Sequence, residues 1–319
     1  MRVVFGTTIA RPPVKAALSK IKDIEVVEVE TIADVVPLAH DADVLVISDP
    51  RGVDGKNLVA ELKKPGCKVR LVQVLSAGFE GLSAHGVPAN IPVANQGGAV
   101  APAVADHAIG MILAMTRQIS QITLQSKEQD WNKDFARPVV ALEGKTMAIV
   151  GYGNIGREIA KRAKAFDVTV LGVSRSLTSD QHADEMFPME KLHEVLGRAD
   201  VVALAVASST TTRHLMNMAA FNATKKGAMF VNVTRGETVD QVALREALVS
   251  GQLAAAFIDV TDPEPLPKND PLWTAPNLVI SPHAAGGGSM RGGSRIAGVV
   301  TENIERLKTG RPFVHLIKT

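Results

Sequence analysis

The stretch Lys145-Thr-Met-Ala-Ile-Val-Gly-Tyr-Gly-Asn-Ile-Gly156 decides the fold of this chain. It joins a short apolar run, which is typical of a strand, to a Gly-rich turn. Beyond the turn, apolar side chains recur at helical spacing as far as Phe166, and a second apolar run covers residues 168–173. The pattern therefore predicts a strand, a turn, a helix and a second strand in that order.

Three glycines in the turn have the spacing GxGxxG, and each has a physical reason to be glycine. Gly151 permits a tight turn after the strand, Gly153 leaves the backbone open to a pyrophosphate, and Gly156 lets the helix lie close to the strand. The helix N-terminus offers unpaired N–H groups to the same phosphates. An ordinary glycine-rich turn is the simpler alternative, but the position between a strand and a helix favours dinucleotide binding. We expect the cofactor site to include Gly151, Gly153, Asn154, Ile155 and Gly156.

The end of the second apolar run indicates which dinucleotide is bound. A carboxylate at that position would accept a hydrogen bond from the ribose 2′-hydroxyl and favour NAD(H). This chain has Ser174, Arg175 and Ser176 instead. Because a guanidinium pairs with phosphate oxygens through a planar fork, Arg175 predicts a 2′-phosphate and a preference for NADP(H) over NAD(H). The alternative is that Arg175 is an ordinary solvated loop residue.

Length and composition narrow the class of protein. A chain of 319 residues predicts two domains. The formal net charge of +2 predicts no broad attraction to nucleic acid or to an anionic membrane. Cys67 is the single cysteine, which fits a reducing, cytoplasmic setting. The first residues show no signal-peptide pattern, and no apolar run is long enough to span a bilayer.

Strand-like and helical segments alternate along the chain, which predicts an α/β protein with two doubly wound parallel-sheet domains. In the first part we predict strands at 3–5, 24–29, 44–47, 69–74 and 91–93, with helices at 12–21, 32–40 and 55–62. After the Gly-rich unit we predict strands at 201–206, 228–233, 254–258 and 278–280, with helices at 189–197, 218–223, 238–250 and 295–308.

The domain boundaries follow from the Gly-rich unit and the C-terminal tail. The apolar tail at 312–317 lies beyond the last predicted strand, and we expect it to fold back onto the first domain. We therefore assign residues 1–100 and 287–319 to a flavodoxin-like, substrate-binding domain. Residues 101–286 are assigned to an inserted Rossmann, dinucleotide-binding domain.

The segment from about 102 to 125 is predicted to be one long helix that is apolar on nearly all sides. Such a helix has to be buried, either inside the protein or against another subunit. His107 lies on this helix and is interpreted as a structural residue. The polar stretch 126–137 is predicted to be a connecting loop.

Three polar residues, Arg235, Glu264 and His283, stand in loops that follow predicted strands of the second domain. Because the carboxyl ends of parallel strands meet at one edge of a sheet, we expect these side chains near the bound cofactor. A cation can polarise a carbonyl group, and a histidine beside a carboxylate can supply or remove a proton near neutral pH. Each residue alone could be a surface charge or a packing residue, but their joint placement favours carbonyl reduction.

In the first domain, Ser76, Ala77 and Gly78 directly follow a predicted strand. These small residues could present backbone N–H groups to an anion such as a carboxylate. An ordinary glycine turn is the simpler interpretation, and the residues by themselves favour it.

Taken together, these motifs resemble the D-isomer-specific 2-hydroxyacid dehydrogenases over essentially the whole chain. The segments that carry the resemblance are 150–156, 231–240, 259–265, Pro271-Leu-Trp and 276–286. The resemblance implies that Arg235 binds and polarises a 2-oxo acid, and that His283 is the acid–base residue with Glu264 as its partner.

The same resemblance implies roles for further residues. Ser76, Ala77 and Gly78 would bind the substrate together with Arg235 and His283, and Asp259 would help to seat the nicotinamide amide. Other implied cofactor-binding residues are Ala207, Thr212, Val233, Thr234 and Gly286. Members of the family are usually homodimers, and the helix at about 102–125 corresponds to their dimer region.

Two departures from the family pattern bear on function. The segment 204–212 lacks the histidine and proline that the family often has there, and Ser174-Arg175-Ser176 resembles the NADPH-dependent glyoxylate and hydroxypyruvate reductases. We therefore expect NADP(H)-dependent reduction of a small 2-oxo acid to the D-2-hydroxy acid. The alternatives are a dinucleotide-sensing interaction protein of the same fold, or an oxidoreductase for a substrate such as phosphite. Formate is disfavoured, because formate enzymes usually have glutamine in place of Glu264.

Overall fold

The structure of the protein is a computed structural model that describes residues 1–135, 137–178 and 180–317. The chain divides into two compact units. The first comprises Met1–Ala99 and Ser289–Thr319, and the second comprises Val100–Gly288. The substrate-binding and dinucleotide-binding roles assigned above to these parts of the chain stay predictions.

The first ninety-nine residues alternate strands and helices as their apolar pattern predicts. The strands are β1 (Arg2–Gly6), β2 (Glu25–Glu28), β3 (Val44–Ile47), β4 (Leu71–Val74) and β5 (Val93–Ala94). The helices are α1 (Arg11–Leu18), α2 (Ile32–Ala39), α3 (Gly52–Leu62) and the single turn α4 (Glu80–Ser83). Strands β3 and β4 are buried throughout, which is why they read as continuous apolar runs.

The second unit begins with two helices and continues as a strand-and-helix alternation. Its helices are α5 (Ala101–Thr116), α6 (Ile119–Glu128), α7 (Asn154–Lys164), α8 (Leu192–Leu196), α9 (Met218–Asn222) and α10 (Gln241–Val249). Its strands are β6 (Thr146–Val150), β7 (Thr169–Val173), β8 (Glu185–Phe187), β9 (Val201–Leu204), β10 (Ala228–Asn232), β11 (Leu253–Ile258) and β12 (Leu278–Ile280). Short 3-10 helices cover Met189–Lys191, Gly236–Thr238 and Pro271–Thr274.

The chain then returns to the first unit with α11 (Met290–Thr309) and β13 (Leu316–Ile317). Strand β13 pairs antiparallel with β5, so the apolar tail joins the first sheet. The sheet order is β13-β5-β4-β3-β1-β2, and its five parallel strands have the flavodoxin-like order. The predicted fold of this unit is therefore confirmed.

The second sheet has seven parallel strands in the order β12-β11-β10-β9-β6-β7-β8. Strand order reverses between β6 and β9, which is the Rossmann arrangement predicted from the Gly-rich unit. Apolar side chains from both faces of the sheet form two buried clusters, one under α5 and α7 and the other under α8, α9 and α10. In open sheets of this kind, ligands bind beyond the carboxyl ends of the strands at the reversal point.

The prediction of one long buried helix at 102–125 is wrong. The helix breaks after Thr116, because Gln118 takes a left-handed backbone conformation with φ +56°. The buried Gln118 side chain donates to the carbonyls of Met115 and Pro138 and holds this break in place. Helix α6 then continues to Glu128, into the stretch predicted to be a loop, and none of its residues is buried.

Helix α11 begins five residues before the predicted start. Glycines 292 and 293 lower its helix propensity, but packing on α1 overrides that preference. A Cβ on Gly293 would lie 2.9 Å from the ring of Pro13, so glycine permits a close helix contact there. The Ser289 hydroxyl caps the helix by accepting a hydrogen bond from the N–H of Gly292.

Candidate active site

The candidate residues of the second unit lie in loops at one edge of its sheet. Gly151 follows β6, Ser174 follows β7, Arg235 lies three residues beyond β10, and His283 lies three residues beyond β12. All of these strands are parallel, so their carboxyl ends face the same side. The folding pattern alone therefore brings the predicted groups to this edge.

The Gly-rich turn has the geometry that a pyrophosphate site requires. Gly151 has φ +101°, and a Cβ there would lie 2.5 Å from the backbone of Ala205. A Cβ on Gly156 would lie 2.1 Å from the carbonyl oxygen of Gly151, so α7 sits directly against the turn. Gly153 differs, because a Cβ there would meet nothing within 4 Å. Its surface is open, and no described side chain caps the N–H groups of α7. The turn therefore fits a dinucleotide phosphate.

The loop after β7 carries the predicted 2′-phosphate residues. Ser176 donates its backbone N–H to the Ser174 hydroxyl at 3.2 Å, and the two hydroxyls lie 3.3 Å apart. Arg175 is exposed between them. Within the described part of the chain, the Arg175 guanidinium forms no ion pair or hydrogen bond. The loop thus presents one uncompensated cation flanked by two hydroxyls.

The loop after β9 brings together two of the residues implied by resemblance. The Thr212 hydroxyl donates to the carbonyl oxygen of Ala207 at 2.8 Å. The Ser208 hydroxyl between them donates to Glu237, which fixes this loop to the neighbouring one. The segment that departs from the family pattern is therefore held by hydroxyl side chains.

Arg235 is placed by the residues before and after it. The buried Asn232 side chain donates to the carbonyl of Arg235 at 3.0 Å and accepts the backbone N–H and hydroxyl of Thr234. The Thr238 hydroxyl donates to the same carbonyl, and one guanidinium nitrogen of Arg235 donates to the carbonyl of Thr234. Val233 and Thr234, which precede Arg235 in this loop, are buried. Sequence reasoning missed Asn232, whose amide makes the turn rigid.

The loop that carries Glu264 is fixed against the Arg235 loop. A Cβ on Gly236 would lie 2.0 Å from the backbone of Thr261, so the two loops are in direct contact. The Gln241 amide forms two hydrogen bonds of 2.9 Å with the backbone of Asp262. One carboxylate oxygen of Glu264 accepts the backbone N–H of Thr261 at 3.2 Å, which aims the other oxygen away from the loop.

That second oxygen meets His283. The Nδ1 atom of His283 lies 2.9 Å from Oε2 of Glu264, and the two side chains are 42% and 29% exposed. If Nδ1 donates to the carboxylate, Nε2 is the ring nitrogen left to exchange a proton with a ligand. The structure thus brings together the histidine and the carboxylate that sequence reasoning singled out.

Asp259 anchors the turn in which His283 lies. Its carboxylate is only 1% exposed and accepts the Ser281 hydroxyl and the backbone N–H groups of Ala284 and Ala285. The backbone N–H of His283 donates to the Asp259 carbonyl at 2.8 Å. Sequence reasoning gave Asp259 a contact to the nicotinamide amide but missed this supporting role.

His107 approaches the same carboxylate from α5. Its Nε2 atom lies 4.0 Å from Oδ1 of Asp259, and its ring packs on Phe257 with centroids 5.2 Å apart. This environment suits the structural interpretation of His107. At Gly286, the end of the same turn, an added Cβ would lie 3.8 Å from the Val100 side chain, which is an ordinary van der Waals distance.

The residues predicted to bind a carboxylate lie in the first unit, after β4. The Ser76 hydroxyl accepts the backbone N–H of Asp49 and donates to the carbonyl of Gly78. The Asn95 amide donates to the carbonyl of Ala77 at 3.0 Å. Among the described residues, none accepts a hydrogen bond from the backbone N–H of Ala77 or Gly78. The loop is held by these hydrogen bonds, and the backbone N–H groups of Ala77 and Gly78 remain available to an anion.

Two further observations concern what the described residues lack. They contain no group of three or more His, Cys, Asp or Glu side chains placed to hold a metal ion. None of the described helices combines the length and the apolar character that crossing a bilayer requires.

Comparisons with known proteins show which family this chain is similar to. A family model described as D-isomer specific 2-hydroxyacid dehydrogenase, NAD binding domain, matches residues 109–285. A glyoxylate reductase of Korarchaeum cryptofilum is 32% identical over 278 residues, which are 85% of this chain and 80% of that protein. A D-3-phosphoglycerate dehydrogenase of Methanocaldococcus jannaschii is 30% identical over 297 residues. That match covers 92% of this chain, and the chain spans 55% of that longer relative.

Similarity also extends to solved structures. The crystal structure of a D-isomer specific 2-hydroxyacid dehydrogenase family protein from Aeromonas salmonicida subsp. salmonicida superposes with a TM-score of 0.86 at 27% identity. The superposition covers 99% of this chain and 98% of that one.

Proposed function

Since the chain belongs to the D-isomer-specific 2-hydroxyacid dehydrogenases, a family of NAD(P)-dependent oxidoreductases, we propose that it reduces a small 2-oxo acid to the D-2-hydroxy acid with NADP(H). Glyoxylate and hydroxypyruvate are the proposed substrate type. The observation that carries the proposal is the 2.9 Å pair of His283 and Glu264 on the loops next to Arg235.

His283 is the proposed acid–base residue. Its Nδ1–H is held by Glu264, so Nε2 gives a proton to the oxygen that develops negative charge as the carbonyl is reduced. Glu264 is itself oriented by the backbone of Thr261, which limits the positions that the imidazole can take. Because the imidazole is already oriented, less entropy is lost when the reactive geometry forms.

Arg235 is the proposed group that polarises the carbonyl. Asn232 and Thr238 hold its backbone carbonyl, and its guanidinium donates to the carbonyl of Thr234. The guanidinium is therefore positioned before substrate arrives and stabilises charge on the reacting oxygen. The available N–H groups of Ala77 and Gly78 are proposed to bind the substrate carboxylate. The nicotinamide of the cofactor, when bound, supplies the hydride for reduction and accepts it in the reverse reaction.

The preference for NADP(H) over NAD(H) is proposed from the loop after β7. Ser174, Arg175 and Ser176 offer a cation and two hydroxyls where a carboxylate would favour NAD(H). The open surface at Gly153 and the uncapped start of α7 would hold the pyrophosphate. Asn154, Ile155, Ala207, Thr212, Val233, Thr234, Asp259 and Gly286 complete the proposed cofactor site.

We also propose that the protein is a cytoplasmic homodimer. Its single cysteine fits a reducing compartment. Helix α6 exposes Ile119 and Ile122 one turn apart and has no buried residue, which is typical of a helix that packs against a second subunit.

The proposal is tested by following NADPH oxidation with a panel of 2-oxo acids, repeated with NADH. We expect rapid turnover of glyoxylate or hydroxypyruvate with NADPH and slower turnover with NADH. His283→Asn should lower kcat by roughly 10²–10⁴-fold, because a general acid contributes about that much, while the Kd of NADPH stays unchanged. Turnover of no 2-oxo acid with either cofactor, or wild-type kcat in the variant, would show that the proposal is wrong.

A further inference from the structure

A polar network ties the loop after β7 to the Gly-rich turn. The Tyr152 hydroxyl donates to one oxygen of the Asp180 carboxylate at 2.7 Å. Arg157 donates to the other oxygen at 3.0 Å, and its second terminal nitrogen donates to the carbonyl of Thr178 at 2.7 Å. Both carboxylate oxygens of Asp180 are therefore occupied. The backbone N–H of His182 adds a further hydrogen bond to the oxygen that Tyr152 contacts.

The ends of this network belong to different parts of the proposed cofactor site. Tyr152 lies between Gly151 and Gly153 in the pyrophosphate turn, and Arg157 lies in the first turn of α7. Thr178 and Asp180 lie on the loop that starts at Ser174. The network therefore connects the part of the site that holds the pyrophosphate with the part that faces the ribose 2′ position.

The charges of the network are balanced internally. Burial alone would raise the pKa of Asp180, but hydrogen bonds from Tyr152, His182 and Arg157 lower it, so the carboxylate stays ionised near neutral pH. Burial, followed by the bond to Asp180, raises the pKa of Tyr152, so its hydroxyl remains a donor. Because Asp180 neutralises Arg157, neither residue competes with Arg175 for a phosphate. Arg175 remains the cation that this loop presents to solvent.

We propose that Tyr152, Asp180 and Arg157 form a clasp that determines cofactor selectivity by holding Ser174, Arg175 and Ser176 in place for a 2′-phosphate. This inference rests on the NADP(H) preference proposed above. The three clasp residues are positioning residues, since they act through the loop rather than through contact with the phosphate. A loop that is already ordered loses less conformational entropy when NADPH binds. This raises the affinity for NADPH, whose 2′-phosphate contacts the loop, and not the affinity for NADH, which lacks that phosphate.

The clasp is tested by measuring the Kd of NADPH and of NADH, from cofactor fluorescence, for the wild type, Tyr152→Phe and Asp180→Asn. Tyr152→Phe keeps the ring on which Arg157 stacks, 5.0 Å from its centroid, and removes only the hydroxyl. We expect the Kd of NADPH to rise about tenfold and that of NADH to change less than about twofold. The Kd values of adenosine 2′,5′-bisphosphate and of AMP are measured by competition with the fluorescent cofactor. The difference between them gives the contribution of the 2′-phosphate to binding.

Asp184→Asn provides the matched control. Asp184 also pairs with a cation, Lys164, and accepts a backbone N–H from Val170, but it lies beside the start of β7 rather than its end. The ratio of the two Kd values should stay at the wild-type value in this variant. Circular dichroism and thermal unfolding of each variant show whether the fold is intact.

Two failures are distinguishable. If the wild type binds NADPH no more tightly than NADH, and Arg175→Ala changes neither Kd, the proposed cofactor preference is wrong. If the wild type prefers NADPH through Arg175, but Tyr152→Phe and Asp180→Asn leave both Kd values unchanged or raise both equally, the clasp alone is wrong. Since binding is measured without substrate, neither result depends on which 2-oxo acid is reduced.

Discussion

His283 has φ +51°, a left-handed backbone conformation that costs a residue with a side chain about 1–3 kcal/mol. The buried Asp259 carboxylate compensates by binding the hydroxyl and the two N–H groups that surround this turn. In this conformation the imidazole points toward Glu264, and its Nδ1 atom contacts the Glu264 carboxylate. A single buried acid therefore explains how a histidine beyond the sheet is held in one orientation.

At the same scale, Glu264→Gln tests the histidine–carboxylate pair. Glutamine keeps the size of the side chain and an oxygen that can accept from Nδ1, but it removes the negative charge that stabilises a protonated imidazole. We expect kcat for 2-oxo acid reduction to fall by at least about tenfold, because the carboxylate charge that assists proton transfer at His283 is lost. The KM for NADPH should be unchanged, and steady-state kinetics at fixed pH measures both values.

Asp262→Asn is the control for this substitution. Asp262 lies two residues away on the same loop, and among the described residues its carboxylate pairs with the exposed Arg213 at 3.5 Å. Wild-type kcat is expected in this variant. If the kcat of Glu264→Gln equals that of the control, Glu264 has no role in the proton transfer.

The Gly-rich turn shows how one motif combines different physical requirements within six residues. Gly151 and Gly156 are glycine because backbone atoms lie where a Cβ would be, whereas Gly153 faces open space. The first two therefore serve the fold, and the third is free to serve a ligand. A sequence motif cannot separate these roles, because all three positions carry the same residue.

Two alanine substitutions separate them. Gly156→Ala should lower the free energy of unfolding by about 1–3 kcal/mol, because the new methyl group overlaps the Gly151 carbonyl. Gly153→Ala should leave stability unchanged and weaken NADPH binding by more than about tenfold, because the methyl group occupies the surface that the pyrophosphate approaches. Denaturant unfolding without cofactor and fluorescence titration with NADPH measure the two effects. Unaltered NADPH affinity in Gly153→Ala would place the pyrophosphate elsewhere.

The elements that sequence predicts well are those whose burial is uniform. Strand β3 matches its predicted bounds, because its apolar run coincides with four buried residues. Strand β12 also matches its predicted bounds, although its three residues are only partly buried. Strand β8 was not predicted, since Glu185-Met-Phe187 is a short edge strand with an exposed start. The break at Gln118 has no local signal either, because a left-handed glutamine is stabilised by contacts with Met115 and Pro138.

The candidate site divides in the same way. Arg235, Glu264 and His283 could be predicted because each follows a recognisable strand, and strand ends meet at one edge. Their supporting residues could not, because those act through hydrogen bonds between separate loops, as Gln241 does with Asp262 and Tyr152 does with Asp180. The candidate catalytic residues can thus be predicted from local sequence. The residues that hold them rigidly cannot, because their role depends on tertiary contacts.

At the scale of the whole molecule, α6 is a helix with no buried residue in the described part of the chain. Its ten residues include Ile119 and Ile122 on one face, yet none is buried, and Trp131 shortly beyond it is 93% exposed. A helix whose apolar side chains find no core is stabilised by packing on another surface. The proposed homodimer supplies that surface from a second copy, since a symmetric pair would bury the same residues twice.

Sedimentation velocity tests this assembly. The wild type is expected at about twice the chain mass of 33.8 kDa at micromolar concentration. The double substitution Ile119→Glu and Ile122→Glu should sediment as a monomer, because four like charges would face one another across the symmetric interface without compensation. Val242→Glu is the control, since Val242 is also an exposed apolar residue on a helix of the same unit but lies on α10. A monomeric wild type, or a double variant that stays dimeric with an intact circular dichroism spectrum, would show that α6 does not form the subunit interface.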